Sequence, residues 1–210
     1  RAASETMKRV SLSLSGKSAA ILLDDADFEA ALPMALNGGF QNNGQACIAG
    51  SRILVPRDRL EEVEAIVRAA MSAWKVGDPA DPGTTIGPLA NAAQFDRVQR
   101  YIARGMEQGA TLIAGGPGRP EGLAKGHFVR PTVFADVDND MDIARDEIFG
   151  PVLSIIAYLD DDDAVAKAND SAYGLQAYVF SRDVERASRI GEPMFEKPRS
   201  VWPRWACLRV

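Results

Sequence analysis

Polar and apolar residues alternate along VSLSLSGKSAAILL (10–23) and then run apolar, as a strand entering a sheet does. DDADFEAALPMAL (24–36) follows with helical spacing and an acidic start suited to a helix amino terminus. A loop dense in Gly and Asn, GGFQNNGQACIAGSR (38–52), leads to a short strand, ILVP, and then to DRLEEVEAIVRAAMSAW (58–74), whose apolar residues recur at three and four. KVGDPADPGTTIGPLA (75–90) is a loop of turn residues, NAAQFDRVQRYIARGMEQG (91–109) a helix ended by Gly109, and TLIAGG (111–116) a strand with a glycine stop. FVRPTVFADV (128–137) and PVLSIIAYL (151–159) read as strands around the turn-rich DEIFGP (146–151). DDDAVAKAND (161–170) opens a helix, LQAYVFS (175–181) is a strand, and DVERASRI (183–190) is helical again. This alternation predicts an α/β fold, a largely parallel sheet flanked by helices, with no internal repeat. The last segment, GEPMFEKPRSVWPRWACLRV (191–210), has three prolines, two tryptophans and no periodicity. It reads as a foreign or out-of-frame ending, the alternative being a wrapped tail packed by Trp202 and Trp205.

Composition narrows the class without changing the fold. The chain has 210 residues, 46% hydrophobic and 25% charged, with 18 Gly and 12 Pro, which describes an ordinary globular protein. Its 24 basic against 29 acidic residues give a net charge of −5, the wrong sign for a phosphate-backbone binder, so no nucleic-acid partner is expected. Two cysteines, Cys47 and Cys207, are too few for a disulfide framework and badly spaced for a metal site. No apolar run approaches the roughly 20 residues of a membrane helix, and RAASETMKRV lacks the apolar core of a secretory signal. A cytoplasmic protein is the expectation, with an amino-terminal boundary made suspect by its opening Arg.

Cys47 asks for a chemical explanation, because it lies in a Gly/Asn loop with backbone N–H groups nearby and few side-chain obstructions. Such a position can hold a nucleophile, although cysteine is more often a small buried hydrophobe. Thiolate chemistry also needs a base or a positive environment to lower a pKa of about 8.5. The one histidine, His127 in KGHFVRP, reads as a strand-entry surface residue, and a Cys–His dyad is the alternative. Lys17 and Ser18 end a Gly-Lys-Ser run, but Leu12 stands where a phosphate loop requires glycine.

FQNNGQACIAGSR (40–52) resembles the active-site cysteine signature of the aldehyde dehydrogenase superfamily. Other landmarks fall in order: VSLSLSGKSAAILLDDAD resembles that family's segment containing Glu-Leu-Gly-Gly-Lys, KVGDPADPGTTIGPL its later loop, and RDEIFGPVLSI and ANDSAYGL two further signatures. The resemblance spans about residues 8–190, roughly the carboxy-terminal half of a full-length member. It implies residues 1–11 as the end of the cofactor-binding domain, 12–190 as an incomplete catalytic domain and 191–210 as a divergent tail. It further implies a small-molecule aldehyde substrate, an NAD or NADP cofactor, no metal, and homo-oligomers in the family. By the same resemblance a Cys47 thiolate attacks the aldehyde, hydride passes to nicotinamide, and water hydrolyses the resulting thioester. Glu147 maps onto the carboxylate that holds the nicotinamide ribose and Phe149 onto the aromatic residue near the ring.

Two departures stand out. Ser13 occupies the position of the family's general-base Glu, and a serine hydroxyl is no base near neutral pH without help. Ser15 replaces the first Gly of the same motif, and both changes imply slow deacylation. The family's dinucleotide-binding domain and its oxyanion-hole Asn map upstream of Arg1, and Asn169 belongs to a different motif. Two readings therefore stand: an NAD(P)-dependent aldehyde dehydrogenase, or a catalytically inactive fragment with a reactive thiol or an association role. A thiol esterase is a weaker third.

Overall fold

The structure, a computed structural model, describes residues 5–9, 14–194 and, as backbone, 207–209. In chain order its elements are β1 (Ala19–Leu22), α1 (Phe28–Phe40), β2 (Arg52–Pro56), α2 (Leu60–Ala70), α3 (Ala92–Glu107), β3 (Thr111–Ala114), β4 (Thr132–Ala135), α4 (Asp142–Arg145), β5 (Val152–Tyr158), α5 (Asp161–Asn169), β6 (Ala177–Ser181), α6 (Val184–Gly191) and β7 (Cys207–Arg209). The strands form one sheet in the order β3-β4-β5-β2-β1-β6-β7. Every neighbouring pair is parallel except β3 with β4.

Period-two alternation sends successive strand residues to opposite faces of this sheet. Ala19, Ile21, Leu54, Phe134, Val152 and Ile156 pack with Val98 and Ile102 of α3, Ala164 of α5 and Ala187 of α6. Ala20, Leu22, Ile53, Val55, Leu153 and Ile155 pack with Leu32 and Leu36 of α1 and Val63 and Val67 of α2. Helices thus cover both faces, which is why β1, β2 and β4 are buried along their whole length. No helix among the described residues is long and apolar enough to cross a membrane.

The elements differ from the sequence reading mainly at their edges. The helix expected over 24–36 runs instead from Phe28 to Phe40, because the Asp27 side chain accepts from the Ala30 N–H and starts it there. Asp25 is drawn elsewhere: its carboxylate accepts from the Ser181 hydroxyl and the backbone N–H groups of Arg182 and Asp183, tying the end of β1 to the end of β6. Gly38 and Gly39 do not stop α1, whose last residue, Phe40, is buried edge-on to Trp74 at a centroid distance of 5.0 Å. Of the strand expected over 10–23, the described residues 14–18 lead into β1, which begins at Ala19, and 10–13 lie outside the described residues; α4 is a short turn that the sequence pattern did not mark.

Arg52 opens β2 with a buried guanidinium. It donates to the main-chain oxygens of Lys17 (3.0 Å), Lys167 (2.9 Å) and Ala168 (2.8 Å) and to Asn139 Oδ1 (3.0 Å). The cation therefore sits on the carboxyl end of α5, where orphan carbonyls need donors. Burial, followed by the Arg145 charge, depresses its pKa to about 10. Of the expected tail, Cys207–Arg209 pairs beside β6, and 195–206 and 210 lie outside the described residues.

Candidate active site

Because β1, β2, β5 and β6 run parallel, the segments that enter them, 14–18, 45–51, 146–151 and 171–176, gather at one edge of the sheet, the amino edge. Cys47 lies in the second of these segments and is exposed, which sets aside the buried-hydrophobe reading. The turn before it needs left-handed backbone at Asn42 (φ 52°) and Asn43 (φ 59°), a conformation that asparagine tolerates better than most residues. Asn42 Nδ2 donates to the Gln45 carbonyl at 2.9 Å. Asn43 reaches across to the 75–90 loop, accepting from Gly87 N–H at 2.7 Å and donating to the Pro88 carbonyl at 3.1 Å, and Gln45 Oε1 accepts from Ala90 N–H. Gly44, at φ +69°, lies so close to the third segment that a Cβ there would stand 2.2 Å from the Gly150 carbonyl oxygen.

Gly16 joins the first segment to the other two. A Cβ at this position would lie 2.3 Å from the Cys47 carbonyl oxygen, and its N–H donates to Glu147 Oε1 at 3.0 Å. The close approach belongs to this glycine alone of the pair in the resembling motif, since Ser15 beside it is exposed. Lys17 is next and is 2% exposed, with a buried Nζ that has no hydrogen-bond partner among the described residues. Burial, and then the Arg52 charge, pulls its pKa down to about 7, against the opposing pull of Asp146 and Glu147.

The turn carrying Glu147 and Phe149 is held from α3. Gln94 Nε2 donates to the carbonyls of Ile148 (2.8 Å) and Phe149 (2.5 Å), and Arg97 donates to those of Glu147 (2.6 Å) and Ile148 (3.3 Å). These contacts sustain a left-handed Phe149 (φ 60°), an uncommon state for an aromatic residue, with its side chain partly exposed. From β6, the Tyr178 hydroxyl donates to the Ile48 carbonyl at 2.8 Å. The phenol pKa is raised by burial and then by electrostatic interaction with the neighbouring Cys47.

Three of the residues singled out from the sequence, Cys47, Glu147 and Phe149, thus lie on adjoining segments of one edge, with Gly16 bridging them. Ser13 falls outside the described residues. His127 serves through its main-chain carbonyl, which accepts from the Leu89 N–H. No group of three or more His, Cys, Asp or Glu side chains that could hold a metal occurs among the described residues. Gln94, Arg97 and Tyr178 were not singled out from the sequence: they act through carbonyls far away in the chain, and nothing local marks them. Asn43 could have been found, since consecutive asparagines before a glycine signal a tight turn.

Comparison with known proteins gives the family. Residues 1–195 match the model of the aldehyde dehydrogenase family. A Staphylococcus saprophyticus relative named after the aldehyde dehydrogenases is 50% identical over 188 residues, covering 90% of this chain and 40% of its own length. The solved structure of aldehyde dehydrogenase C from Pseudomonas syringae, a cysteine-to-alanine variant complexed with NAD+ and octanal, superposes with a TM-score of 0.89 at 48% identity, over 98% of this chain and 42% of that one. An aldehyde dehydrogenase of Mycobacterium tuberculosis complexed with NAD+ gives 0.86 at 52% identity, over 91% and 39%. The chain therefore spans about 40% of the length of the curated relatives it matches.

Proposed function

The chain belongs to the aldehyde dehydrogenase family, and from that premise we propose that it carries the nucleophile-bearing part of an enzyme that oxidises an aldehyde to a carboxylic acid with NAD or NADP. The observation that carries this reading is the exposed Cys47, packed by its own main chain against Gly16, whose N–H holds the Glu147 carboxylate. In this reading residues 1–11 end a cofactor-binding domain, 12–190 form the catalytic domain, and 191–210 diverge from it. The protein acts in the cytoplasm.

Cys47, as thiolate, adds to the aldehyde carbonyl carbon; a C–S bond forms and the carbonyl oxygen becomes an oxyanion. The Cys47 backbone N–H is a donor for that charge. Loss of hydride from the same carbon leaves a thioester on Sγ, and attack by water breaks the C–S bond, its hydroxyl going to the carboxylic acid and its other proton to sulfur, which returns the Cys47 thiol. The residues present suit a nicotinamide cofactor. Glu147 is a half-buried carboxylate with one oxygen held by Gly16, and its other oxygen can accept from ribose hydroxyls. Phe149 offers a ring 38% exposed on a turn fixed by Gln94 and Arg97. When bound, that cofactor supplies the hydride acceptor. Ser13, in the place of a general base, leaves thioester hydrolysis as the slow step.

The test is reduced-nicotinamide formation from octanal and NAD+ or NADP+ by the full-length product of the reading frame that encodes these residues. Wild type is expected to form it and Cys47→Ala to form none; turnover that survives in a folded Cys47→Ala variant refutes the assignment.

A further inference from the structure

The segment just past Cys47 has an unusual anchor. Ile48 leaves its side chain 44% exposed, so packing of that side chain does not hold the chain in place. The hold comes from β6: the Tyr178 hydroxyl takes the Ile48 carbonyl at 2.8 Å, 130 residues away in sequence. The Tyr178 ring also lies against Gly50, where a Cβ would come within 3.4 Å of it. On the other side, the Cys47 carbonyl is already pressed against Gly16. The nucleophile is therefore bracketed between Gly16 of the first segment and Tyr178 of the neighbouring strand, whose register with Ala20 of β1 is fixed by the sheet. The hydrogen bond fixes the Ile48–Ala49 peptide unit, while Gly16 confines the Cys47–Ile48 unit through the Cys47 carbonyl, so the backbone is held on both sides of Ile48 and the turn that aims the Cys47 Sγ is restricted from its carboxyl side.

We propose that Tyr178 is a positioning residue for Cys47, its hydroxyl fixing the Ile48 carbonyl so that the thiol and the adjacent backbone N–H face the aldehyde together. The proposal rests on the reading of Cys47 as the nucleophile. Formation of the thiolate itself does not depend on the hydroxyl, which is spent on the carbonyl. Addition of a small alkylating agent needs only an accessible thiolate, whereas aldehyde oxidation needs aim as well.

The experiment compares wild type, Tyr178→Phe and Cys47→Ala in the full-length enzyme. Tyr178→Phe keeps the ring on Gly50 and removes only the hydroxyl; its melting temperature and circular dichroism check that the fold is retained. Expected for Tyr178→Phe are a fall of about five- to tenfold in the rate constant of the pre-steady-state burst of reduced nicotinamide, the worth of one lost hydrogen bond in the steps that form the thioester, and an unchanged pH profile for alkylation of Cys47 by iodoacetamide. An unchanged burst rate constant overturns the proposal. A displaced alkylation profile also overturns it, because the hydroxyl then acts on thiolate formation. If Cys47→Ala retains turnover, the nucleophile assignment falls whatever Tyr178→Phe does; if Cys47→Ala is inactive and Tyr178→Phe matches wild type, only the positioning role falls.

Discussion

Adding one methyl group at Gly16 perturbs the site at its tightest contact. The Cβ of Gly16→Ala would stand 2.3 Å from the Cys47 carbonyl oxygen, whereas real Cβ contacts essentially never fall under 3.0 Å. The obstacle is main chain, so no side-chain rotation relieves it: either the Cys47 peptide or the entry to β1 must move by about 0.7 Å. A misplacement of about 1 Å costs on the order of a hundredfold in rate, so a fall of about 10- to 100-fold in the burst rate constant, which reports thioester formation, is expected. Overpacking of this kind also costs about 1–3 kcal/mol in stability. The assay is rapid-mixing aldehyde oxidation alongside urea unfolding, with Ser15→Ala as the neighbouring control because Ser15 is exposed. A wild-type burst rate constant in Gly16→Ala would refute the reasoning, since it would mean that the packing of Gly16 on Cys47 does not set the position of the proposed nucleophile.

Two further outcomes concern stability. Lys17 has a folded pKa pulled below its ordinary 10.5 to about 7, so the folded state binds fewer protons than the unfolded one between those values and stability rises with pH across that window. Lys17→Met is therefore expected to be more stable than wild type below pH 7, by on the order of a few kcal/mol, with the difference vanishing near pH 10; urea midpoints at several pH values check this, and a loss of stability that is constant with pH contradicts it. At Asp25, burial pushes the pKa up, but hydrogen bonds from Ser181 and from the backbone of Asp183 and Arg182, with the Arg186 charge, outweigh it and hold the carboxyl below its usual value. This stabilisation is present above the ordinary aspartate pKa and is lost as pH falls through the lower folded value. Asp25→Ala should cost about 2 kcal/mol at pH 7 and little in strong acid, as read from thermal unfolding against pH; an equal cost at both ends would count against a charge-dependent tie.

The layering of the fold was legible because burial of both sheet faces imposes apolar runs on strands and a three-and-four spacing on helices. Capping and long-range ties moved the ends: Asp27, not Asp24, starts α1, because Asp25 is engaged with β6, which local spacing does not reveal. Cys47, Glu147 and Phe149 were singled out through motifs with distinctive residue types. Their meeting point was not visible, since it follows from the parallel order β5-β2-β1-β6 bringing four separate segments to one edge. Arg97, Gln94 and Tyr178 look like ordinary amphipathic-helix or strand residues in sequence, and only the folded chain sets them against the carbonyls they hold.

The most direct measurement is rapid mixing of the full-length enzyme with octanal and excess cofactor, followed by mass analysis of the Cys47 peptide. The expected result is a burst of reduced nicotinamide close to one equivalent per site, an octanoyl thioester on Cys47, and a slow steady phase that Ser13→Glu accelerates. A burst-free time course with no acyl group on Cys47, or acylation at another residue, would contradict the assignment of Cys47 as the nucleophile.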